Sequence, residues 1–415
     1  RWDIFCRILD NYGDIGVCWR LAKQLAHEHG LAVRLWVDDL GVAKRLINDL
    51  DIDLGNQTID GVEICHWPQS FKDTQVADVV IEAFACELPT SYLAAMATSQ
   101  TLLPPGRGKA GMGGADSPTS SLPPTPSPHS TPSLTLPLAG GGDKQVWLNL
   151  EYLTAEKWAA ESHLLASPHP TLPLTKHFFF PGFDAKTGGL IRERGLIERR
   201  DAFQHEAQTA FWQKLDVKSS SALKVSLFCY PHAPLKGLLE AIAGGNLPTI
   251  IFVPDSGVLP VISQCLGVNP LKVGEQFTQG NLTLHVLPFL IQEDYDYLLW
   301  ACDINFVRGE DSWVRALWAA KPFIWQPYEQ SENTHITKLN AFLDFYTADL
   351  PKVTRTVLQQ SHLSWCSDDY TKANWLDLSG ELPALQKHAV KLANQLANQP
   401  DLAAKLVIFC ENFSK

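Results

Sequence analysis

Nowhere in the 415 residues is there an apolar run approaching the roughly 20 that a membrane-crossing helix needs, so a transmembrane class is excluded. The amino end also lacks the basic, apolar and small-residue succession of a secretory signal. It enters a strand-like pattern directly at Arg1-Trp2, which places the expected natural start a little upstream. No basic patch is visible, and 34 Lys plus Arg against 45 Asp plus Glu leave a net charge of −11, which argues against a nonspecific grip on nucleic acid or anionic lipid. There is no Cys-x-x-Cys pair. The nine cysteines are odd in number and scattered, which speaks against a disulfide framework and against a structural zinc site. A soluble protein of the reducing cytoplasm is expected, with no membrane and no direct nucleic-acid partner. Two nucleotide motifs are missing as well: neither Gly-x-Gly-x-x-Gly nor a phosphate loop ending in Gly-Lys-Ser/Thr occurs.

What is present is ordinary globular material, 45% hydrophobic and 19% charged, long enough for two folded domains. Strand patterns at Trp2–Leu9, Leu31–Val37, Val62–Trp67, Ala77–Phe84 and Gln145–Leu150 alternate with helical periodicity. A second series begins with Lys224–Tyr230 and Leu247–Val253. It continues through Leu282–Leu287, Ala301–Phe306 and Pro322–Trp325, and a helical tail runs from Leu382 to Phe413. Alternating strands and helices predict an α/β protein of two Rossmann-like halves facing across a cleft, with the site where the carboxyl ends of the two sheets meet. Between about Thr101 and Lys144 the texture turns to Pro, Ser, Thr and Gly, which can neither bury a core nor sustain either periodicity. A disordered insertion is expected there.

Two loops carry chemistry. In Asp10-Asn11-Tyr12-Gly13-Asp14-Ile15-Gly16, between the first strand and the first helix, Gly13 and Gly16 allow close backbone approach. Asp10 and Asp14 project at the exposed end of the strand, poised for base chemistry. An Asp at a helix start serves equally well as an N-cap. The second loop, Arg308-Gly309-Glu310-Asp311-Ser312, feeds a helix amino terminus, which offers backbone N–H groups and a positive dipole end for a diphosphate. Arg308 adds a bidentate phosphate contact. A surface loop with Asp311 or Ser312 as cap accounts for one of those residues and leaves Arg308, Gly309 and Glu310 unexplained. Phe228, Tyr230, Phe289 and Tyr295 with Gln292 can sandwich and hydrogen-bond a nucleobase, although aromatic residues so placed are more often core.

Several long motifs in one order resemble the bacterial protein-arginine rhamnosyltransferases that modify elongation factor P. They are Trp2-Asp3-Ile4-Phe5-Cys6 leading into Asp10 to Val17 and Trp19-Arg20-Leu21-Ala22, then Trp147-Leu148-Asn149-Leu150-Glu151-Tyr152-Leu153. Phe179-Phe180-Pro181-Gly182-Phe183, Lys186-Thr187-Gly188-Gly189-Leu190 and the Arg308–Ser312 loop follow. The similarity spans the chain except the insertion, which is not a family feature.

The resemblance implies a GT-B type glycosyltransferase. Residues 1–182 would form the acceptor-binding domain, interrupted at about 101–144, and residues 183–415 the nucleotide-sugar domain with its helical tail. It implies inverting, metal-independent transfer of L-rhamnose from dTDP-β-L-rhamnose, used as donor substrate with no cofactor, to an arginine of elongation factor P. That modification activates the factor to relieve ribosome stalling at polyproline. Carried onto this sequence, Asp14 is the general base, with Asp10 and Glu310 as further catalytic acids. Phe228, Tyr230, Phe289, Gln292 and Tyr295 fall on the thymidine, and Arg308, Asp311 and Ser312 on the diphosphate. The competing expectations are a GT-B enzyme with another acceptor and a noncatalytic binder of a translation factor.

Overall fold

The structure is a computed structural model that describes residues 1–10, 12–68, 70–71, 75–101, 145–218, 220–367 and 369–413. Among these, eight strands form a first sheet: β1 (Trp2–Cys6), β2 (Val33–Val37), β3 (Asn56–Ile59), β4 (Val62–His66), β5 (Val79–Ala83), β6 (Val146–Leu150), β7 (Ala166–Pro168) and β8 (Thr175–Phe179). Six more form a second sheet: β9 (Leu223–Leu227), β10 (Thr249–Pro254), β11 (Gln276–Gln279), β12 (Leu282–Leu287), β13 (Ile304–Arg308) and β14 (Phe323–Gln326). The orders are β3-β4-β2-β1-β5-β6-β8-β7 and β11-β12-β10-β9-β13-β14. Every pairing is parallel except the edge hairpins β3/β4, β7/β8 and β11/β12. These are the two Rossmann-like halves expected. β1, β2, β5 and β6 are buried along their whole length because helices cover both faces, which is why they read as unbroken apolar runs.

Reversals of strand order fall at β1, between β2 and β5, and at β9, between β10 and β13. The crevices beyond the carboxyl ends of those strands face each other, and ligands of such sheets bind there. β1 stops at Cys6 rather than continuing to Leu9, because the next amides leave the ladder for side chains. Ile8 N–H donates to Asp38 (3.0 Å), and Leu9 and Asp10 N–H donate to Asp14 (2.8 and 2.9 Å). The chain then enters the helix Gly13–His29, which buries Ile15, Cys18, Leu21, Ala22 and Leu25 on the sheet. It ends at Gly30, whose φ of 65° closes the last turn.

The expected insertion lies outside the described residues beyond Thr101, where the helix Thr90–Thr101 is followed next by β6. The chain leaves the first half after Phe183 and comes back at its end. The last helix, Leu402–Phe413, packs on β8 of the first sheet, with Phe409 against Phe179 and His177. Leu402 N–H donates to the Leu190 carbonyl at 2.9 Å, so the outgoing and returning passages lie side by side.

Candidate active site

The Asp10–Gly16 loop and the Arg308–Ser312 loop meet across the cleft. Tyr230, just past β9, donates its hydroxyl to Asp10 Oδ2 at 2.8 Å. Strand β14 fixes this partner: Gln326 Oε1 accepts from Tyr230 N–H (3.0 Å), and the Gln326 carbonyl accepts from Gly309 N–H (3.2 Å). The Trp325 indole donates to the Gly309 carbonyl at 2.7 Å and stacks on Trp313 with centroids 3.7 Å apart. Asp10 is wedged between two glycines from opposite halves. A Cβ on Gly13 would lie 2.9 Å from its Oδ2, and one on Gly309, where φ is 62°, would lie 2.8 Å away. At Gly309 the positive φ favours glycine as well, whereas at Gly13 a side chain would have to push Asp10 aside.

Two chambers open from this wall, and Asp10, Gly13 and Gly309 line both. The first spans about 630 Å³ counting the solvent at its mouth, and it is lined by Phe228, Phe289, Gln292 and Tyr295 together with Arg308, Asp311 and Ser312. The Arg308 guanidinium lies over the rings of Phe228 and Tyr230, 4.6 and 4.5 Å from their centroids. Ser312 Oγ accepts from Arg308 N–H (3.1 Å) and donates to the Arg308 carbonyl, closing the loop. The helix Asp311–Ala319 takes no side-chain cap from Glu310, so the alternative of Asp311 or Ser312 as its N-cap is not realised. Gln292 uses its amide nitrogen on the Gly16 carbonyl and Asp311, while its Oε1 is buried without a partner inside the protein.

The second chamber, about 1020 Å³ with its open side, is lined by Asp14 and Glu310 together with Phe84, Tyr152, Tyr328 and Lys338. Asp14 is buried, 2% exposed; its Oδ2 takes two backbone N–H groups, and Oδ1 faces the Tyr152 hydroxyl at 3.4 Å. Burial pushes its carboxyl above the usual range, the two N–H bonds oppose that rise, and the charge of Asp10 adds to it. Asp10 is raised for the same first reason, against the Tyr230 bond and Arg308. Glu310 is raised by burial against the opposing Lys338 ammonium, whose Nζ sits 2.8 Å from Oε1; Oε2 accepts from Leu153 N–H of the other half (3.1 Å). Three carboxylates therefore stand close together, each held where taking up a proton is easier than in water.

Of the residues expected from sequence, Phe228, Phe289, Gln292, Tyr295, Arg308, Asp311 and Ser312 share the first chamber, Asp14 and Glu310 the second, and Asp10 and Gly13 both. Tyr230, expected on the nucleoside, stands behind the wall as the partner of Asp10 and the platform of Arg308. Gly16 lines neither chamber; its Cα faces Asp311, to which an added Cβ would come within 3.3 Å, so it sets the contact between two helix starts. Sequence reasoning gave no role to Lys338, Tyr152, Gln326 or Arg20. The last is 3% exposed and bridges the halves, its guanidinium reaching Asp311 (2.8 Å), Glu193 (3.2 Å) and Asp296 (3.4 Å). Arg315 completes the cluster on Asp296 and Glu193 at 2.6 Å each, and the two guanidiniums hold the Glu193 carboxyl far below its ordinary value.

Two Rossmann-like halves with a ringed, arginine-bearing chamber against a chamber of buried carboxylates define a GT-B glycosyltransferase. The chain matches the elongation factor P (EF-P) rhamnosyltransferase family, EarP, over residues 2–104 and 136–411. It is 44% identical over 414 residues to the protein-arginine rhamnosyltransferase of Pseudomonas putida, covering 99% of this chain and 98% of that one. To the protein of the same name from Shewanella oneidensis it is 38% identical over 422 residues, covering 99% and 97%. The structure solved to explain EarP-mediated arginine glycosylation of EF-P superposes with a TM-score of 0.65 at 34% identity, over 99% of this chain and 98% of that one. The chain belongs to the EF-P rhamnosyltransferase family, EarP, and its enzyme class is that of the protein-arginine rhamnosyltransferases. Among the described residues no helix is long and apolar enough to cross a membrane.

Proposed function

We propose that this enzyme transfers L-rhamnose from dTDP-β-L-rhamnose to an arginine of elongation factor P, inverting the anomeric centre, with the donor in the Phe228–Arg308 chamber and the acceptor in the Asp14–Glu310 chamber. The observation that carries this reading is the shared wall. Asp10, Gly13 and Gly309 line both chambers, so groups held on either side meet at Asp10. Gln292 Oε1 supplies the acceptor that a thymine N3–H needs, and Phe228, Phe289 and Tyr295 supply apolar and ring-edge contact for the base. Arg308 and the uncapped start of the helix Asp311–Ala319 lie where a diphosphate would seat. The residues 1–182 then form the acceptor-binding domain and 183–415 the donor domain, into whose partner the last helix reaches.

Arginine is a reluctant nucleophile, because a guanidinium pKa of about 13.8 leaves almost none of it neutral near pH 7. Asp14, anchored by two backbone N–H groups on Oδ2, offers Oδ1, which it shares with the Tyr152 hydroxyl, to the incoming group. It orients one nitrogen and accepts the proton as the C–N bond forms. Glu310 holds the remaining charge of the guanidinium. On the donor side, Arg308 and the helix terminus absorb the negative charge that builds on the leaving diphosphate, so the residues themselves supply the electrostatic stabilisation that other transferases take from a metal. Attack from the acceptor chamber on a sugar leaving into the donor chamber is a single displacement, and it inverts C1.

The test is incubation of the purified protein with dTDP-β-L-rhamnose and elongation factor P, with and without a chelator, followed by peptide mass mapping and NMR of the linkage. The expected result is one added deoxyhexose on one arginine, with the α configuration and no loss on chelation. A product of retained configuration would remove the direct displacement, and transfer to a different acceptor only would remove elongation factor P.

A further inference from the structure

The second chamber already contains a cation. Lys338, on the helix Thr334–Tyr346, places its Nζ 2.8 Å from Glu310 Oε1 and 5.5 Å from the centroid of Tyr152. The Tyr152 ring is itself backed by Phe84, stacked at 4.5 Å and 15°. Both ends of the pair are shielded, with the Lys338 and Glu310 side chains 16% and 14% exposed. An ion pair to a carboxylate and a position over an aromatic face are the two contacts a guanidinium seeks. Oε2 is engaged by Leu153 N–H and Oε1 by Lys338, so a guanidinium approaching Glu310 competes with Lys338 for Oε1.

We propose that Lys338 is an internal stand-in for the acceptor guanidinium, holding Glu310 and the Tyr152 ring in receptive positions and yielding that place when the acceptor arginine enters. This inference rests on the reading of the second chamber as the acceptor site. Its logic is electrostatic. Glu310, buried beside Asp14, needs a counter-charge while no acceptor is bound, and a Lys on a flexible four-carbon stem supplies one that can withdraw. An arginine in its place would grip too well, because its planar fork engages a carboxylate through two N–H groups at once. Lys338 is thus a positioning residue that sets how much of the acceptor's binding energy is consumed in displacing it.

The experiment measures acceptor KM and kcat for Lys338→Met and Lys338→Arg with elongation factor P. It is run at about pH 8.5, well above the ordinary carboxylate range, because Glu310 loses a stabilising charge in the Met variant. The groups facing Glu310 are Lys338 from its helix, Leu153 N–H and Tyr152 from the loop after β6, and Asp14 from the first helix. Removing one cation–carboxylate contact of this strength should lower acceptor KM about threefold to tenfold in Lys338→Met, and Lys338→Arg should raise it by a similar factor. An acceptor KM that stays level or rises in Lys338→Met overturns the proposal, because a lysine that merely props Glu310 would behave so. Should the Met variant not fold, Lys338→Arg decides alone, and an unchanged or lower KM there overturns it equally. Glu310→Gln and Asp14→Asn run in parallel separate the two readings. If both turn over the acceptor normally, the chamber assignment itself fails; if both are crippled while the Lys338 variants shift KM the wrong way, only the stand-in fails.

Discussion

The hydroxyl of Tyr230 donates to the carboxylate of Asp10 at 2.8 Å, joining the loop after β9 to the loop after β1 across the cleft. This bond fixes the wall between the two chambers and keeps Tyr230 under the Arg308 guanidinium. Tyr230→Phe should keep the ring and lose the bond. One buried hydrogen bond to a charged group is worth about 1.5–3 kcal/mol. Steady-state kinetics should therefore show kcat/KM reduced about tenfold to a hundredfold, with the far-ultraviolet circular dichroism unchanged. Activity within twofold of the parent would mean that the wall stands without it.

Asp14 should set the acid limb of the pH profile. The base works when ionised, and burial raises its carboxyl above the ordinary 3.8, so activity falls as pH drops through that raised value, earlier than a solvated carboxylate would dictate. The stability consequence has the opposite sign. Between the unfolded value and the raised folded value the native state binds more protons, so this group weakens the fold as pH rises and leaves it strained at neutrality. Asp14→Asn should thus abolish transfer while leaving Tm equal or higher in differential scanning calorimetry. A clearly lower Tm would show that the two backbone bonds, rather than the buried charge, dominate.

Gly309→Ala tests the close approach itself. The new methyl would sit 2.8 Å from Asp10 Oδ2 and 3.3 Å from the Tyr230 hydroxyl, on a backbone with φ of 62°. The left-handed conformation alone costs an alanine about 1–2 kcal/mol, and relieving the contact requires either Asp10 to turn from Tyr230 or the halves to part. Turnover should fall by at least about tenfold, the rate equivalent of 1.4 kcal/mol, and a crystal structure should show a turned Asp10 or a wider cleft. Retained activity with an undisplaced Asp10 would contradict the geometry.

Arg20 ties the first half to three carboxylates of the second. Arg20→Met would leave Asp311, Asp296 and Glu193 with Arg315 as the remaining guanidinium of the cluster, and stripping one partner from a buried ionic group costs about 3–5 kcal/mol. Chemical denaturation should show a loss of that order. On the proposed placement of the donor, the KM for the sugar nucleotide should rise as well, because Asp311 and Gln292 lose the partner that steadies the Phe228–Arg308 chamber. A stable variant with an unchanged donor KM would show that Arg315 suffices.

The sheets were readable because strands covered on both faces appear as apolar runs, and the two chemical loops because each lies between such a run and a helix. The outer strands β3, β7, β8 and β11 were not. β3, Asn56–Ile59, alternates between exposed and half-buried positions and carries Asn, Gln and Thr, so its pattern matches a loop as well as a strand. Within the site, local pattern could place Asp10 and Arg308 on loops but could not say that Tyr230 would face Asp10 from 220 residues away. Lys338 sits in an ordinary amphipathic helix, and Arg20 lies among the buried residues of another; only the meeting of the halves gives them partners. Gly16 was legible as a point of close backbone approach, and what approaches it is the start of another helix, at Asp311.

The paired passages at Leu190 and Leu402 govern how this cleft can move. A protein whose halves share one tether can slide, twist and splay them independently; one whose backbone crosses twice, side by side, works like a door on two pins and swings about a single line. Leu153 reaching Glu310 and Asp10 reaching Tyr230 would then engage in one stroke, and a change in the seat of the last helix on β8 would be felt in the cleft.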